Sequence, residues 1–272
     1  MKKVFSFVDK VSTPFLISCA SFIMVMQFWA LNKGYVMSDE GWFSILLRDQ
    51  PAERLATQYH LLFGGIFNNN LYATRVCAWI LEVVAAAIMS FGIFKYRKCV
   101  DTTEFLKCFS CIIIGYSVLG PISINYAVLT LIVGELSLGF LLLGVCSQKT
   151  FYYFLCGFFI ATLFPIKITA VVVIPLILLV MCYCERGFKP VIFTLVGMMA
   201  FVAIFFIFVM SPDDYLSLFT SNTKSTVAKG NGNYGIWFLL KGWKGVFVFI
   251  FDLVLISTIC SFNKEIMGEK VY

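Results

Sequence analysis

The most apolar stretch of the chain, residues 151–184, reads FYYFLCGFFIATLFPIKITAVVVIPLILLVMCYC. Its only charged residue, Lys167, follows directly after Pro165 and Ile166. A run of 34 residues is longer than one membrane helix, which needs about 20. Because proline interrupts a helix, the stretch predicts two short membrane spans, or a re-entrant pair, that meet at Lys167.

The composition of the whole chain agrees with this local pattern. Of its 272 residues, 60% are apolar and 13% are charged, whereas a soluble domain is nearer half apolar and a quarter charged. This balance excludes a soluble globular enzyme and a disordered chain. The apolar runs are long and unbroken, unlike the short alternating segments of a membrane β-barrel. The sequence therefore predicts an all-α polytopic membrane protein.

Polar breaks divide the chain into about eight predicted transmembrane helices. Together they form a single integral membrane domain over residues 1–272, with two longer polar loops at 32–70 and 211–235. The predicted spans cover residues 14–31, 71–94, 105–120, 121–146, 190–210 and 246–262, with two short spans in 151–184 that are interrupted at 165–167. Asn68, Asn69 and Asn70 offer N-caps before the second span.

The basic residues predict the orientation of these spans. Residues 95–107 contain four Lys or Arg in 13 positions, whereas the 32–70 loop contains three in 39. Lys and Arg are enriched in cytoplasmic loops, so we expect both termini in the cytoplasm and both long loops on the outer face of the plasma (inner) membrane. The net charge of +6 does not indicate nucleic-acid binding, because the basic residues form short clusters between apolar runs rather than one patch.

The first outer loop contains the most informative polar residues. Ser38, Asp39 and Glu40 precede an apolar periodic segment, which is typical of a helix start. Glu40, Ser44 and Arg48 then follow at intervals of four, so the loop predicts amphipathic surface helices. Asp39 and Glu40 could form a site where solvent, headgroups and protein meet. Alternatively, they only favour the positive end of the helix dipole.

Four charged residues lie deep within the apolar stretches: Arg75, Glu82, Glu135 and Lys167. Each would be costly against lipid, so each is expected to face the bundle interior or a water-filled cavity. Arg75 and Glu82 are separated by almost two helical turns and face the same direction. They either pair with each other or line a site. His60, the only histidine, shares the outer loop with Asp39 and Glu40.

Taken in the order in which they occur along the chain, these features resemble the GT-C superfamily of membrane glycosyltransferases. This superfamily includes the protein O-mannosyltransferase and lipid A aminoarabinose transferase types. A first span is followed by Asp39-Glu40 in an outer loop with surface helices. Residues 58–64, QYHLLFG, followed by Arg75 resemble the family's apolar outer segment, glycine and arginine. Gly157, residues 167–170 (KITA) and Pro175 resemble its Gly…Lys-x-Thr-Ala…Pro stretch. The resemblance covers about residues 14–210.

The resemblance implies a function and a role for each matched residue. The donor would be a sugar linked to a polyprenyl phosphate in the membrane, and the acceptor an envelope glycan, lipid or protein on the outer face. Asp39 would be the general base that activates the acceptor hydroxyl, assisted by Glu40. Arg75 and Lys167 would neutralise the departing lipid phosphate.

The remaining polar residues would have supporting roles in such a site. The resemblance implies that Glu40 and His60 could hold a divalent metal ion, as in some members. Arg48, His60 and Glu82 would support the site.

The chain departs from the family in two respects. Members are usually near twice this length, and the proline beside the outer-loop histidine is absent. The resemblance therefore implies a short or truncated member, or a relative without catalysis. Two alternatives stay open: a multispan transporter or lipid flippase with Glu82, Glu135 and Lys167 along a polar pathway, and a non-catalytic subunit of an envelope complex.

The orientation is testable by fusing an alkaline phosphatase that requires export. Fusion after Asn69 should produce phosphatase activity in intact cells, because that position is predicted to be outside. Fusion after Lys98 should produce none, because the basic residues around it are expected to remain in the cytoplasm. The reverse pattern would show that the predicted topology is inverted.

Overall fold

The structure, a computed structural model, describes residues 2–32, 70–117, 124, 126–166 and 187–217. Except for Ser217, these residues belong to one compact unit, Met1–Leu216, and the rest of the chain, Ser217–Tyr272, is a second unit. All regular elements in the described ranges are helices. They are α1 (Lys2–Ala30), α2 (Leu71–Tyr96), α3 (Thr102–Ser117), α4 (Tyr126–Ser147), α5 (Thr150–Ala161), α6 (Leu163–Ile166) and α7 (Phe188–Phe208), and a further helical segment covers residues 212–217.

Four of these helices are long and apolar enough to cross a membrane. They are the Ser12–Ala30 part of α1, the Tyr72–Tyr96 part of α2, the Val128–Ser147 part of α4, and all of α7. The predicted helical membrane protein is thus confirmed at this level. α3 is only 16 residues long, and the apolar stretch Thr150–Ile166 is also short. The count of eight spans and the helices of the first outer loop remain predictions, since residues 33–69, 167–186 and 218–272 lie outside the described ranges.

The first half of the long apolar run breaks at Thr162, before the predicted interruption at residues 165–167. The helix over that half ends as α5 at Ala161, and the single turn of α6 follows and contains Pro165. Pro165 and Ile166 are buried. Lys167, the next residue, lies outside the described residues, so the predicted meeting of two spans there remains a prediction.

The core of the first unit lies between α1, α2, α3 and α4. Ala20 of α1, Ala85 of α2, Ile113 of α3 and Ile132 of α4 are each at most 3% exposed and form one cluster. α2 and α4 approach closely where Gly92 lies against the backbone of Gly139. Small residues at such crossings allow membrane helices to gain van der Waals contact, which is important where lipid provides no hydrophobic driving force.

α5 and α7 form a second close contact. A Cβ atom on Gly157 would collide with the backbone of Thr194, and one on Gly197 would collide with the backbone of Phe154. The Thr194 hydroxyl donates a hydrogen bond to the Tyr153 carbonyl at 3.3 Å, and further along both helices the rings of Phe158 and Phe201 pack edge to face. The contact partners advance together along both helices, so α5 and α7 run in the same direction.

The sequence assigned residues 211–235 to a polar outer loop, but the beginning of this segment is helical. Residues 212–217 form a helix, and the Ser211 hydroxyl accepts a hydrogen bond from the Asp214 backbone N–H at 3.2 Å. Tyr215 stacks on Phe164 with ring centroids 4.4 Å apart, and its burial raises its pKa to about 12. The Ser211 N-cap and the packing of the Tyr215 ring thus hold this segment beside α7.

The α5–α7 contact can be tested by replacing Gly157 with alanine. The new methyl group has no room against Thr194, so the helices must separate, and we expect a loss of stability of about 1–3 kcal/mol. The measurement is thermal unfolding of the purified protein in detergent micelles.

Gly134→Ala is the matched control, because nothing lies within 4 Å of the position that its Cβ would occupy. This variant should unfold at the wild-type temperature or slightly above it, since alanine favours a helix over glycine. Equal stability of Gly157→Ala and Gly134→Ala would contradict the close approach of α5 and α7.

Candidate functional site

The structure describes two of the predicted site residues, Arg75 and Glu82, both on α2. The other predicted residues, Asp39, Glu40, Arg48, His60 and Lys167, lie outside the described residues, and so does the predicted metal pair Glu40 and His60. Their roles remain predictions. Within the described ranges, no group of three or more His, Cys, Asp and Glu side chains could hold a metal ion.

Arg75 lies in the first turns of α2, which begins as the sequence predicts. Asn68-Asn69-Asn70 offers N-caps before the second span, and Asn70 is the cap: its side-chain oxygen accepts a hydrogen bond from the Ala73 N–H at 3.1 Å. The Thr74 hydroxyl donates to the Asn70 carbonyl at 3.0 Å. These bonds fix the start of α2 and thereby the position of Arg75, one turn further on.

The guanidinium of Arg75 is bonded to the end of α1. Its Nη1 donates to the Leu31 carbonyl at 3.0 Å and lies 3.5 Å from the Ala30 carbonyl, and Arg75 is only 5% exposed. The last carbonyls of a helix lack partners within the helix and carry partial negative charge. Arg75 therefore joins the end of α1 to the start of α2, where the 32–70 segment leaves and returns.

A groove of about 520 Å³ lies at the same end of these two helices. It is lined by Val25, Phe28, Trp29, Asn32 and Tyr72. Phe28, Trp29 and Tyr72 are 60%, 59% and 48% exposed, so the groove opens to the side of the bundle rather than into its core. Trp and Tyr are enriched where a membrane meets water. The groove thus combines a lipid-facing apolar wall with a position beside the predicted outer loop.

Trp79 packs behind this groove. Its ring lies 5.8 Å from that of Phe28 between centroids, and it is one helical turn beyond Arg75. Its indole nitrogen is buried without a hydrogen-bond partner within the part of the chain that the structure describes. A buried indole N–H usually finds an acceptor, but Trp79 is not among the residues that line the groove.

Glu82 belongs to a different group of side chains. It is 4% exposed and lies within electrostatic range of Glu135 on α4. The hydroxyl of Tyr116 on α3 donates to Oε2 of Glu135 at 2.7 Å. The sequence left open whether Arg75 and Glu82 pair with each other or line a site. The described hydrogen bonds of Arg75 go to the end of α1, and Glu82 faces a second carboxyl group.

The two polar centres lie at different depths. Arg75 is about 6 Å and Glu82 about 16 Å from the first residue of α2, at about 1.5 Å per residue. Since half of a bilayer core is about 15 Å thick, Arg75 lies near one surface and Glu82 near the middle. The two residues are separated by about 10 Å along the same helix, so a phosphate group bound at the surface beside Arg75 would lie far from Glu82.

Sequence reasoning did not identify Tyr116 as a functional candidate. Tyrosine is common in apolar spans, and Tyr116 is separated from Glu135 by 19 positions along the chain. One signal was available, because a buried tyrosine hydroxyl needs a hydrogen-bond partner and Glu135 is the only charged residue of the adjacent span. Only the packing of α3 against α4 joins the two.

Comparison with known proteins supplies no relative from which a function could be transferred: no family model, no curated protein and no solved structure matches this chain.

The role of Arg75 can be tested by replacing it with alanine and with lysine. Arg75→Ala removes the donor to the Leu31 carbonyl, and hydrogen bonds from charged groups contribute about 1.5–3 kcal/mol. We expect a loss of stability of that size in thermal unfolding. Arg75→Lys retains the charge but loses the planar guanidinium, so its stability should lie between that of the wild type and that of Arg75→Ala.

Arg97→Ala is the matched control, because Arg97 is exposed and its pairing distance to Glu104 is 3.9 Å. Such surface pairs contribute about 0–1 kcal/mol. If Arg75→Ala and Arg97→Ala unfold at the same temperature, Arg75 does not hold α1 and α2 together.

Proposed function

We propose that the protein is a membrane glycosyltransferase of the GT-C type. It would transfer a sugar from a polyprenyl-phosphate donor to an envelope glycan, lipid or protein acceptor on the outer face of the plasma membrane. The observation that carries the proposal is the sideways-open groove beside Arg75, at the end of α1 and α2 where the predicted outer loop begins.

The shape of the groove suits a lipid-linked donor. Such a donor has a long apolar chain within the membrane and an anionic phosphate at its surface. The exposed rings of Phe28 and Trp29 form a wall that a polyprenyl chain could contact directly from the lipid. Tyr72 precedes Arg75 by one turn, and Asn32 directly follows Leu31, whose carbonyl Arg75 binds. Arg75 itself is buried and is not part of the groove lining, so the donor phosphate would have to reach it from the groove.

Arg75 would provide positive charge for the phosphate leaving group. A guanidinium has five N–H donors, and charge-assisted hydrogen bonds to phosphate are strong and directional. Its bonds to the end of α1 would also keep the guanidinium in place as negative charge develops, which makes electrostatic stabilisation effective. In this proposal Lys167, which follows the last residue of α6, provides the second cation.

Asp39 would be the general base. It is eight residues beyond Leu31, and an extended chain covers at most about 3.6 Å per residue. Asp39 is therefore tethered within about 29 Å of the carbonyl that Arg75 binds. Glu40 would assist it, Arg48 and His60 would support the site, and Glu40 with His60 could hold a divalent metal ion. Glu82 would contribute from the interior of the bundle, without contact to the donor phosphate.

A multispan transporter or lipid flippase is the second candidate. The observation that favours it is the pair of carboxyl groups, Glu82 and Glu135, near the middle of the membrane. Ionisable residues at this depth often mark a path for ions or protons. The two candidates differ experimentally, because a transferase consumes a polyprenyl-phosphate sugar whereas a transporter leaves its substrate chemically unchanged.

The transferase is tested first by incubating the purified protein with a set of undecaprenyl-phosphate sugars and measuring consumption of each donor. Asp39→Asn should then decrease turnover by about 10²–10⁴-fold, the usual contribution of a general base. Donor binding should stay at the wild-type level, because the base acts on the acceptor. The substitution conserves shape, so folding and membrane insertion should be unchanged.

Asp213→Asn is the matched control, since Asp213 is an exposed aspartate at the start of the other predicted outer loop. Its turnover should equal that of the wild type. If Asp39→Asn transfers sugar at the wild-type rate, Asp39 is only a helix-start residue and the proposed site is wrong.

A further inference from the structure

The side chains of Glu82, Tyr116 and Glu135 converge from three helices, and we refer to these three residues as the carboxyl cluster. Tyr116 of α3 is 3% exposed and donates its hydroxyl proton to Glu135 of α4 at 2.7 Å. Glu82 of α2 is 4% exposed and interacts electrostatically with Glu135 and with Tyr116. The proposed transferase site uses neither Tyr116 nor Glu135.

The surroundings of the carboxyl cluster are apolar. Tyr116 belongs to the central hydrophobic cluster, together with Ala85 and Ala86 of α2, Ile113 of α3 and Ile132 of α4. The residues that α1 places against this core, Ala20, Ile23 and Met24, are also apolar. The described titratable groups that interact electrostatically with Glu82 are Glu135 on α4 and Tyr116 on α3.

Glu82 lacks a hydrogen-bond donor among the described side chains. The hydroxyl of Tyr116 can donate one hydrogen bond, and Glu135 accepts it. The described bonds of Arg75, about two turns away, go to carbonyls at the end of α1. An ionised carboxylate can only accept hydrogen bonds. Burying one without a donor, beside a second carboxylate, is strongly unfavourable in an apolar medium.

One proton removes this conflict. A protonated carboxyl group is neutral and gains an O–H donor, so Glu82 could donate toward Glu135 while Glu135 accepts from both Glu82 and Tyr116. We propose that the carboxyl cluster is a proton-binding site inside the helix bundle, in which Glu82 holds the proton and Tyr116 positions Glu135. The proposal does not rest on the proposed transferase activity, because the carboxyl cluster lies in the interior of the bundle and makes no contact with the donor phosphate.

The packing of α2 against α4 is expected to depend on this proton. α2 and α4 run in the same direction, since Ile88 meets Gly139 and Gly92 meets Leu142, and their backbones approach closely at these glycines. Loss of the proton would leave a negative charge on Glu82 of α2 and another on Glu135 of α4, on the N-terminal side of the glycine contact in both helices. The separation of α2 and α4 is thus expected to depend on occupancy of the proton site.

Infrared spectroscopy of the purified full-length protein in lipid nanodiscs tests the proposal. A protonated carboxyl group has a C=O stretching band distinct from the carboxylate bands, and this band shifts in D2O. At about pH 7 an ordinary glutamate is protonated to less than about 1%. We expect the band in the wild type at this pH, its loss in Glu82→Gln and its retention in the control Glu104→Gln. Glu104 is a suitable control because it is paired with Lys107 at the start of α3.

Two results would overturn the assignment: a wild type without the band, or a band that survives Glu82→Gln. Replacing choline chloride by sodium chloride at constant ionic strength distinguishes the proton from a metal cation. A band unaffected by sodium supports the proton site. A band that sodium abolishes would show that the cluster is a sodium site instead.

A second measurement on the wild type avoids dependence on any variant that fails to fold. Dicyclohexylcarbodiimide reacts with protonated carboxyl groups in apolar surroundings, and peptide mass spectrometry locates the adduct. At about pH 7, labelling of Glu82 should exceed that of Glu104 on the order of 100-fold, as the difference in protonation requires. Equal labelling of Glu82 and Glu104 would contradict the proposal.

Discussion

The last carbonyls of a helix have no partner within the helix, and where the helix end is buried, as at Leu31, they must find one elsewhere in the protein. Arg75 meets this requirement for α1 and α2 together, because its guanidinium binds the Leu31 carbonyl and approaches that of Ala30. The positive side chain also compensates the negative end of the α1 dipole. The groove is formed by residues on both sides of this bond, so its geometry depends on Arg75.

The helices separate two polar centres by depth, and each suits a different kind of chemistry. Near the start of α2, a cation lies close to exposed aromatic side chains and to the point where the predicted outer loop joins the helices. Near its middle, two carboxyl groups and a tyrosine are enclosed by alanine and isoleucine side chains. A membrane-surface reaction on a lipid-linked substrate needs the first arrangement, and storage of a proton needs the second. One helix, α2, contributes to both.

Small residues make these arrangements compact. Gly92 and Gly139 permit α2 and α4 to touch through their backbones, and Gly157 and Gly197 do the same for α5 and α7. With larger residues at Gly92 and Gly139, α2 and α4 would lie further apart, and the interaction between the carboxyl groups of Glu82 and Glu135 would weaken. Close packing is thus a precondition for the carboxyl cluster as well as for stability.

The sequence by itself determined the helical membrane class, most helix boundaries of the described part and the cap at Asn70, because apolar length, proline breaks and N-cap chemistry act locally along the chain. It also identified Arg75 and Glu82 as buried charges that need partners. Only the tertiary structure decided what those partners are. Arg75 binds the end of α1 and Glu82 faces Glu135, since contacts between helices depend on which small residues allow close approach, and no local pattern records that. The same reason explains why Tyr116 was missed: its partner is on another helix, and the hydrogen bond forms only when α3 and α4 pack.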